Sequence, residues 1–312
     1  MRFQIDALPD QSSFGAIVTG LAPTDLADPT TREALRELWI DRGVIVFRGI
    51  EGGADTQIRL SEIFGELQDH PAAEGRTRGP GENSKLSDIA YHPKYGDLYE
   101  VGGESVGAWL PWHFDLVYVD RINRGGVLRP VKLPSRGGET GFVDQIAAYA
   151  SLPAGLAARI ENLSVLYRFN LDASEARFGQ RADRCLRMQD GVIAAMKRFE
   201  GRPRVIHPMV YEQRETGRKV LNVSPWFAEG IEGMETAAGD ALLREVVSHA
   251  IRPERAYYHH WQPGDMVLWD NWRMMHCACG VPADERRHMQ RTTIAGDYGR
   301  GRVEADSRQA SS

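Results

Sequence analysis

The chain has 312 residues, of which 42% are apolar and 26% charged, a balance that allows a sizeable core. Its formal net charge of -5, with both signs interspersed, argues against a nucleic-acid-binding surface. No apolar run approaches the ~20 residues that a membrane helix needs. Cys185, Cys277 and Cys279 form no Cys-x-x-Cys pair and fit a reducing compartment without a disulfide framework. The first residues lack the apolar core of a signal peptide, so a soluble, cytoplasmic protein is expected.

In chain order, residues Gly15 to Leu21 read as a short strand. Asp28-Pro29 offers a cap and first residue for a helix, with Leu35, Leu38 and Trp39 at helical spacing and Gly43 as its stop. Val44-Ile45-Val46-Phe47 is a buried strand by its β-branched run, and a second helix fits Gln57 to Phe64. From 68 to 111 the pattern dissolves into Gly, Pro and polar residues. A stretch of that length is read as a lid-like insertion.

From Trp112 the texture is β. Strands are expected over His113–Val119, Gly125–Val131 and, after a Gly137-Gly138 turn, up to Val143. A helical excursion follows over Ile146–Leu163, then a polar section to Arg202. Strand character resumes over Pro203–Val210, and Glu215-Thr216-Gly217-Arg218 reads as a hairpin turn into Lys219–Val223. A helix fits Gly239–Ile251. Strands over Ala256–Trp261, Met266–Trp269 and Arg286–Ile294 close the chain, and the tail 299–312 is read as frayed. The expectation is one domain over 1–312, mainly β with flanking helices, folded as a jelly-roll barrel.

Chemistry enters at Trp112-His113-Phe114-Asp115. On a strand, His113 and Asp115 share a face, so an imidazole and a carboxylate project together. A third ligand from elsewhere, His276, would complete a two-histidine, one-carboxylate set. Such a set serves non-haem Fe(II) oxygenases, and it also serves zinc hydrolases. If 286–294 is a strand, Arg287, Met289, Arg291 and Thr293 share one face, and Arg286, His288 and Gln290 the other. Two guanidiniums on one face suit two anions. Solvent-facing arginines are the alternative, and the commoner one for such a pattern.

These stretches, in this order and spacing, resemble the taurine dioxygenase family, whose members are Fe(II)- and 2-oxoglutarate-dependent oxygenases and include the phenoxyacetate-herbicide dioxygenases. The likeness runs from about Gly15 to Asp297. It rests on Gly43-Val44-Ile45-Val46-Phe47-Arg48, Phe64-Gly65-Glu66-Leu67, His70-Pro71 and Trp112-His113-Phe114-Asp115. It continues through Leu133-Pro134-Ser135-Arg136-Gly137-Gly138-Glu139-Thr140, Trp269-Asp270-Asn271, His276, Arg287 and Arg291-Thr292-Thr293-Ile294-Ala295-Gly296-Asp297.

The resemblance implies a double-stranded β-helix of the cupin-like kind. It implies Fe(II) held by His113, Asp115 and His276, and 2-oxoglutarate held through its distal carboxylate by Arg287 and Thr140. Arg291 and His70 fall at positions that grip a substrate anion. Phe227 and Trp109 fall at substrate-pocket positions. Ala73 stands where the taurine enzyme has a tyrosine, and Trp109 where it has an asparagine. The implied substrate is therefore a small anion with an apolar or aromatic body rather than taurine. The implied reaction consumes O2, releases succinate and CO2, and hydroxylates the substrate or cleaves it through hydroxylation. Retention of Asp115 argues against halogenation. A homo-oligomer, dimer or tetramer, is expected, with no nucleic-acid or membrane partner.

Other motifs are read more plainly. His259 and His260 have no carboxylate at ligand spacing and read as alternating faces of a strand. His288 reads as structural. His92 and Lys94 lie in the expected lid, within reach of a substrate. Cys277 and Cys279 read as small buried hydrophobes. The jelly roll also hosts metal-dependent isomerases, hydrolases and non-catalytic binding modules. Arg287 and Thr140 are what separate the oxygenase reading from those.

Overall fold

The computed structural model describes residues 3–11, 13–69 and 85–305. The strands are β1 (Gln4–Asp6), β2 (Ala16–Thr19), β3 (Val44–Arg48), β4 (Leu67–Gln68), β5 (Ser87–Tyr91), β6 (Leu98–Val101), β7 (Glu104–His113), β8 (Gly125–Lys132), β9 (Thr140–Asp144) and β10 (Ser164–Tyr167). They continue as β11 (Arg184–Arg187), β12 (Val205–Pro208), β13 (Val210–Glu212), β14 (Lys219–Leu221), β15 (Ala228–Ile231), β16 (Tyr257–His259), β17 (Met266–Asp270), β18 (Met274–Pro282), β19 (Arg287–Ile294) and β20 (Arg302–Val303). The helices are α1 (Pro29–Arg42), α2 (Gly53–Ser61), α3 (Gln145–Ala150), α4 (Ala154–Ile160), α5 (Asp190–Phe199) and α6 (Ala237–Ala250). None is long and apolar enough to cross a membrane, among the described residues.

Two large sheets make the jelly roll. One runs β1-β2-β3-β17-β8-β19-β4, with β5 also paired to β19; the other runs β11-β6-β7-β18-β9-β16. The sheets face each other, and alternation along each strand decides what lies between them. Val44, Val46, Leu128, Val267, Trp269 and Met289 from the first sheet meet Phe142 and Met274 from the second. The intervening residues Ile45, Phe47 and Leu268 point outward and are covered by Leu35, Trp39 and Leu60 of α1 and α2. On the far side of the second sheet, α3 and α6 pack with Val143, Met275 and Cys277.

The start of the chain matches its sequence. Asp28 caps α1 by accepting from Thr31 N at 2.9 Å, and Gly43 ends the helix at φ +74°, where a Cβ would sit 2.7 Å from the Met274 sulfur. The segment expected to be irregular differs. Residues 87–113 are filled by β5, β6 and β7, with Gly102-Gly103 a tight turn at φ +60° and +82°. Glycine marked a loop in the pattern, but here it makes a hairpin. Of the expected lid, residues 70–84 lie outside the described residues.

Other boundaries shift for local reasons. The second helix begins at Gly53 and stops at Ser61, with Gly52 as its cap. The expected helix over 146–163 is two helices, because Pro153 starts a new one. The polar section up to Arg202 contains β10, β11 and α5. The strand expected over His113–Val119 ends at His113. A strand absent from the sequence reading, β18, carries His276; its small residues Cys277-Ala278-Cys279-Gly280 mask its character. The tail forms β20, paired with β12, before the described residues end.

Candidate active site

His113 is the last residue of β7, and His276 lies directly opposite it on β18. The rings are 4.4 Å apart. Asp115 follows the strand's end, in a turn whose next residue, Leu116, takes φ +61°. Plain strand alternation therefore does not bring His113 and Asp115 together. A side-chain amide does: Asn271 accepts from Asp115 N at 2.9 Å and donates to Asp115 O at 3.0 Å. It also donates to Asn123 Oδ1 at 3.0 Å, which fixes its own orientation. Ser224 Oγ accepts from Phe114 N at 3.0 Å on the other side. The backbone of the turn is thus held at successive residues.

Nδ1 of His113 lies 2.7 Å from the Pro111 carbonyl and donates to it, leaving the Nε2 lone pair free. That Nε2 is 3.8 Å from Asp115 Oδ1, and His276 Nε2 is 3.7 Å from Asp115 Oδ2. One ligand atom from each of the three residues lies within 4.8 Å of the others. Bonds of ~2.0–2.2 Å to one ion would close that triangle with small movements. Burial pushes the His276 imidazole down to about 3, and the nearby His113 adds to the effect. It is neutral and open to a metal at ordinary pH. Burial alone would raise the Asp115 carboxyl, but Arg291, His113 and His276 together hold it well below the usual carboxylate range. The donor set is one carboxylate and two imidazoles, which fits a divalent first-row metal.

Arg287 and Arg291 lie on the inner face of β19, not in solvent. Arg287 is 5% exposed. Burial lowers its guanidinium to about 10. Its Nε has no hydrogen-bond partner among the described residues. The acidic neighbours it feels, Cys279 and Glu139, act at a distance, and Glu139 pairs with His260 at 3.3 Å. Glu139 and Cys279 flank the register pair Thr140 and Ala278, so Arg287 faces the start of β9. Thr140 is buried there, its Oγ1 accepting from Trp261 Nε1 at 3.1 Å. A buried cation without an anion is costly, so this pocket is built to receive one. Arg291 donates to Asp115 Oδ2 at 3.1 Å and leaves its own Nε unpartnered among the described residues.

Aromatic rings wall the other side. Phe227 stands edge-on to His113 at 6.1 Å and Trp226 at 5.1 Å. Tyr118 packs against Phe227 at 5.1 Å, and the charges of Asp115 and Arg291 both reach its phenol. Trp109 is placed differently. An unbroken strand would give it the same face as His113. A bulge between His276 and Ala278 instead sets it opposite Cys279, and its ring packs against Tyr99. His70 and Ala73 lie outside the described residues. His92 stacks on Tyr95 at 4.3 Å, and His288 pairs with Asp88 at 2.7 Å.

Sequence reasoning missed the roles of Asn271 and Tyr118. Asn271 belonged to a quoted motif without a task. Tyr118 was assigned to a strand that the turn replaces. His259, read with His260 as alternating faces of a strand, is fully buried while His260 is exposed, and its Nε2 lies 3.1 Å from Asp265.

A jelly roll with two histidines and a carboxylate converging on its inner face defines a class of metal-dependent enzymes. Residues 4–293 match the model of the taurine catabolism dioxygenase TauD, TfdA family, and the chain belongs to that family. The chain is 33% identical over 292 residues to an (S)-phenoxypropionate/alpha-ketoglutarate-dioxygenase of Sphingobium herbicidovorans, covering 94% of this chain and 95% of the relative. It is 30% identical over 263 residues to an alpha-ketoglutarate-dependent 2,4-dichlorophenoxyacetate dioxygenase of a Burkholderia species, covering 82% of each. Its fold is similar to the crystal structure of a taurine dioxygenase from Burkholderia xenovorans, with a TM-score of 0.72 at 23% identity, covering 98% of this chain and 97% of that one. The protein is an Fe(II)- and 2-oxoglutarate-dependent dioxygenase that acts on a small molecule.

Proposed function

We propose that this dioxygenase oxidises a small carboxylate or related anion with an apolar or aromatic body. The supporting observation is the set of side chains packed around His113 and Asp115. Trp226 and Phe227 stand beside His113 with Tyr118 packed on Phe227, while Arg291 stands beside Asp115 with its Nε unpartnered among the described residues. The substrates named for the two relatives, phenoxypropionate and 2,4-dichlorophenoxyacetate, are of this kind.

In this reading His113, Asp115 and His276 hold Fe(II). Arg287 and the Thr140 hydroxyl take the distal carboxylate of 2-oxoglutarate. Arg291 takes the substrate anion, and His70 is assigned with it from the family resemblance. Bound iron supplies the activation of O2 coupled to decarboxylation of 2-oxoglutarate, so that substrate, O2 and 2-oxoglutarate become hydroxylated product, succinate and CO2. The protein's own work is positioning. Asn271 fixes the direction of Asp115, Pro111 fixes the tautomer of His113, and the aromatic wall excludes water from the reacting carbon. Hydroxylation beside an ether oxygen would release a phenol from an aryloxy acid.

The test has two parts. Anaerobic Fe(II) and 2-oxoglutarate should give a visible charge-transfer band that is lost in His113→Ala. Succinate release should then be measured across aryloxy and alkyl carboxylates, sulfonates and phosphonates. Faster turnover of taurine than of the aryl or alkyl carboxylates would overturn the substrate class. Absence of the band would overturn the site assignment.

A further inference from the structure

A partly buried series of polar and ring contacts runs from the outer part of the first sheet to Thr140. Arg48 on β3 donates to both oxygens of Asp265, at 3.1 and 3.3 Å. Asp265 also accepts from Gln262 N at 3.0 Å and pairs with His259 Nε2 at 3.1 Å. Tyr257 OH lies 3.0 Å from His259 Nδ1, while His259 Nε2 sits close to Asp265 without a well-aligned hydrogen bond among the described residues. Trp261 packs T-shaped against His259, 4.6 Å away at 87°. Trp261 Nε1 then donates to Thr140 Oγ1 at 3.1 Å. His259 itself is the register partner of Thr140 on the neighbouring strand.

The chemistry of the last link has one outcome. An indole N–H only donates, so Thr140 Oγ1 must accept. The hydroxyl's own proton must then point away from Trp261. Among the described residues Thr140 Oγ1 has no further partner. Arg287 faces the same end of β9, and its Nε is a second donor without an acceptor among the described residues.

We infer that Trp261, held by the Arg48–Asp265–His259 chain, is a positioning residue that turns the Thr140 hydroxyl into a dedicated donor for the distal carboxylate of the cosubstrate. This rests on the reading that Arg287 and Thr140 bind that carboxylate. Trp261 touches neither the metal cluster nor the reacting atoms in this scheme; it acts through one hydroxyl.

The experiment is 2-oxoglutarate binding to the Fe(II)-loaded protein under anaerobic conditions, read by the visible band, in Trp261→Phe, Thr140→Val, Thr140→Ser and the Trp261→Phe/Thr140→Val double variant. Phenylalanine keeps a ring and removes only the N–H donor with part of the bulk. Trp261→Phe and Thr140→Val should each weaken binding about tenfold, the scale of one hydrogen bond to a charged group. The double variant should be no weaker than Thr140→Val alone, and Thr140→Ser should bind within twofold of wild type. In turnover, the loss should appear in KM for 2-oxoglutarate rather than in kcat. A further readout is structural: the Trp261 indole N–H resonance should shift in Thr140→Val.

Unchanged binding in Trp261→Phe, with Thr140→Val weakened, overturns this inference and leaves the cosubstrate assignment standing. A double variant whose loss is the product of the two single losses also overturns it, because Trp261 would then act independently of Thr140. If Arg287→Ala and Thr140→Val both bind 2-oxoglutarate normally, the cosubstrate assignment falls and the inference falls with it.

Discussion

At the scale of single residues, the candidate centre depends on side chains that are not themselves candidate ligands. Asn271 uses its amide N–H groups and its Oδ1 on the Asp115 backbone and Asn123. Removing it frees buried backbone groups at the turn and lets Asp115 drift. Asn271→Ala should cost roughly 1–3 kcal/mol in urea unfolding, the penalty of unsatisfied buried polar groups. It should also weaken Fe(II) binding ~10–100-fold, as loss of an outer support does. Iron affinity measured by anaerobic titration, unchanged in a folded variant, would remove Asn271 from this role. Arg291 combines a bond to Asp115 with an Nε that is unpartnered among the described residues. Arg291→Gln should raise KM for the anionic substrate at least tenfold, more than it raises KM for 2-oxoglutarate. Steady-state kinetics on the best substrate of the panel decides that, and equal effects on both constants would contradict it.

At the scale of elements, caps and strands were legible where the rule is local. Asp28, Pro29 and Gly43 bound α1 as read, and Val44 to Phe47 form β3 as read. Asp28→Ala should lower stability by about 1 kcal/mol, the usual worth of an N-cap, because Asp28 accepts from both the N and Oγ1 of Thr31. Thermal unfolding measures it, and a shift in 2-oxoglutarate affinity in the same variant would show that α1 does more than support. The face of β19 was also legible, since period-two alternation alone groups Arg287 with Arg291. What alternation could not supply was burial: those arginines are inside because the opposing sheet covers them. The His-x-Asp argument grouped two side chains that the structure brings together, by an incomplete route. The chain leaves the strand at His113, and Asn271, far along the sequence, turns Asp115 back. The bulge beside Trp109 and the small-residue strand β18 were hidden for the same reason. Both are set by partners on other strands and have no signature of their own.

At the scale of the whole molecule, buried polar groups tie the layers together. Arg273 joins Asp144 through two bonds of 2.9 and 2.8 Å and donates to the Ile40 and Asp41 carbonyls at the end of α1. The second sheet and the outer helix layer are thus linked by one guanidinium. His207 does similar work elsewhere. It is fully buried, and its Nε2 is shared between the Val117 and Val119 carbonyls at 3.0 Å each. Those carbonyls belong to the turn that follows Asp115. Burial pushes the His207 imidazole down from its ordinary 6.5 to about 4. The sign follows from that direction. Between pH 6.5 and 4 the unfolded chain binds a proton that the folded chain does not, so stability rises with pH across this window. It is lost as the pH falls through the window, and no further loss from this group occurs below about pH 4. The full effect is of order 3 kcal/mol. In His207→Gln an amide N–H can still reach the two carbonyls, but nothing titrates. Urea unfolding of the metal-free protein at pH 7, 5.5 and 4.5 should therefore show a shallower loss in the variant than in wild type, by up to one proton in slope. Parallel curves for the two proteins would mean that burial does not depress the proton affinity of His207 in the fold.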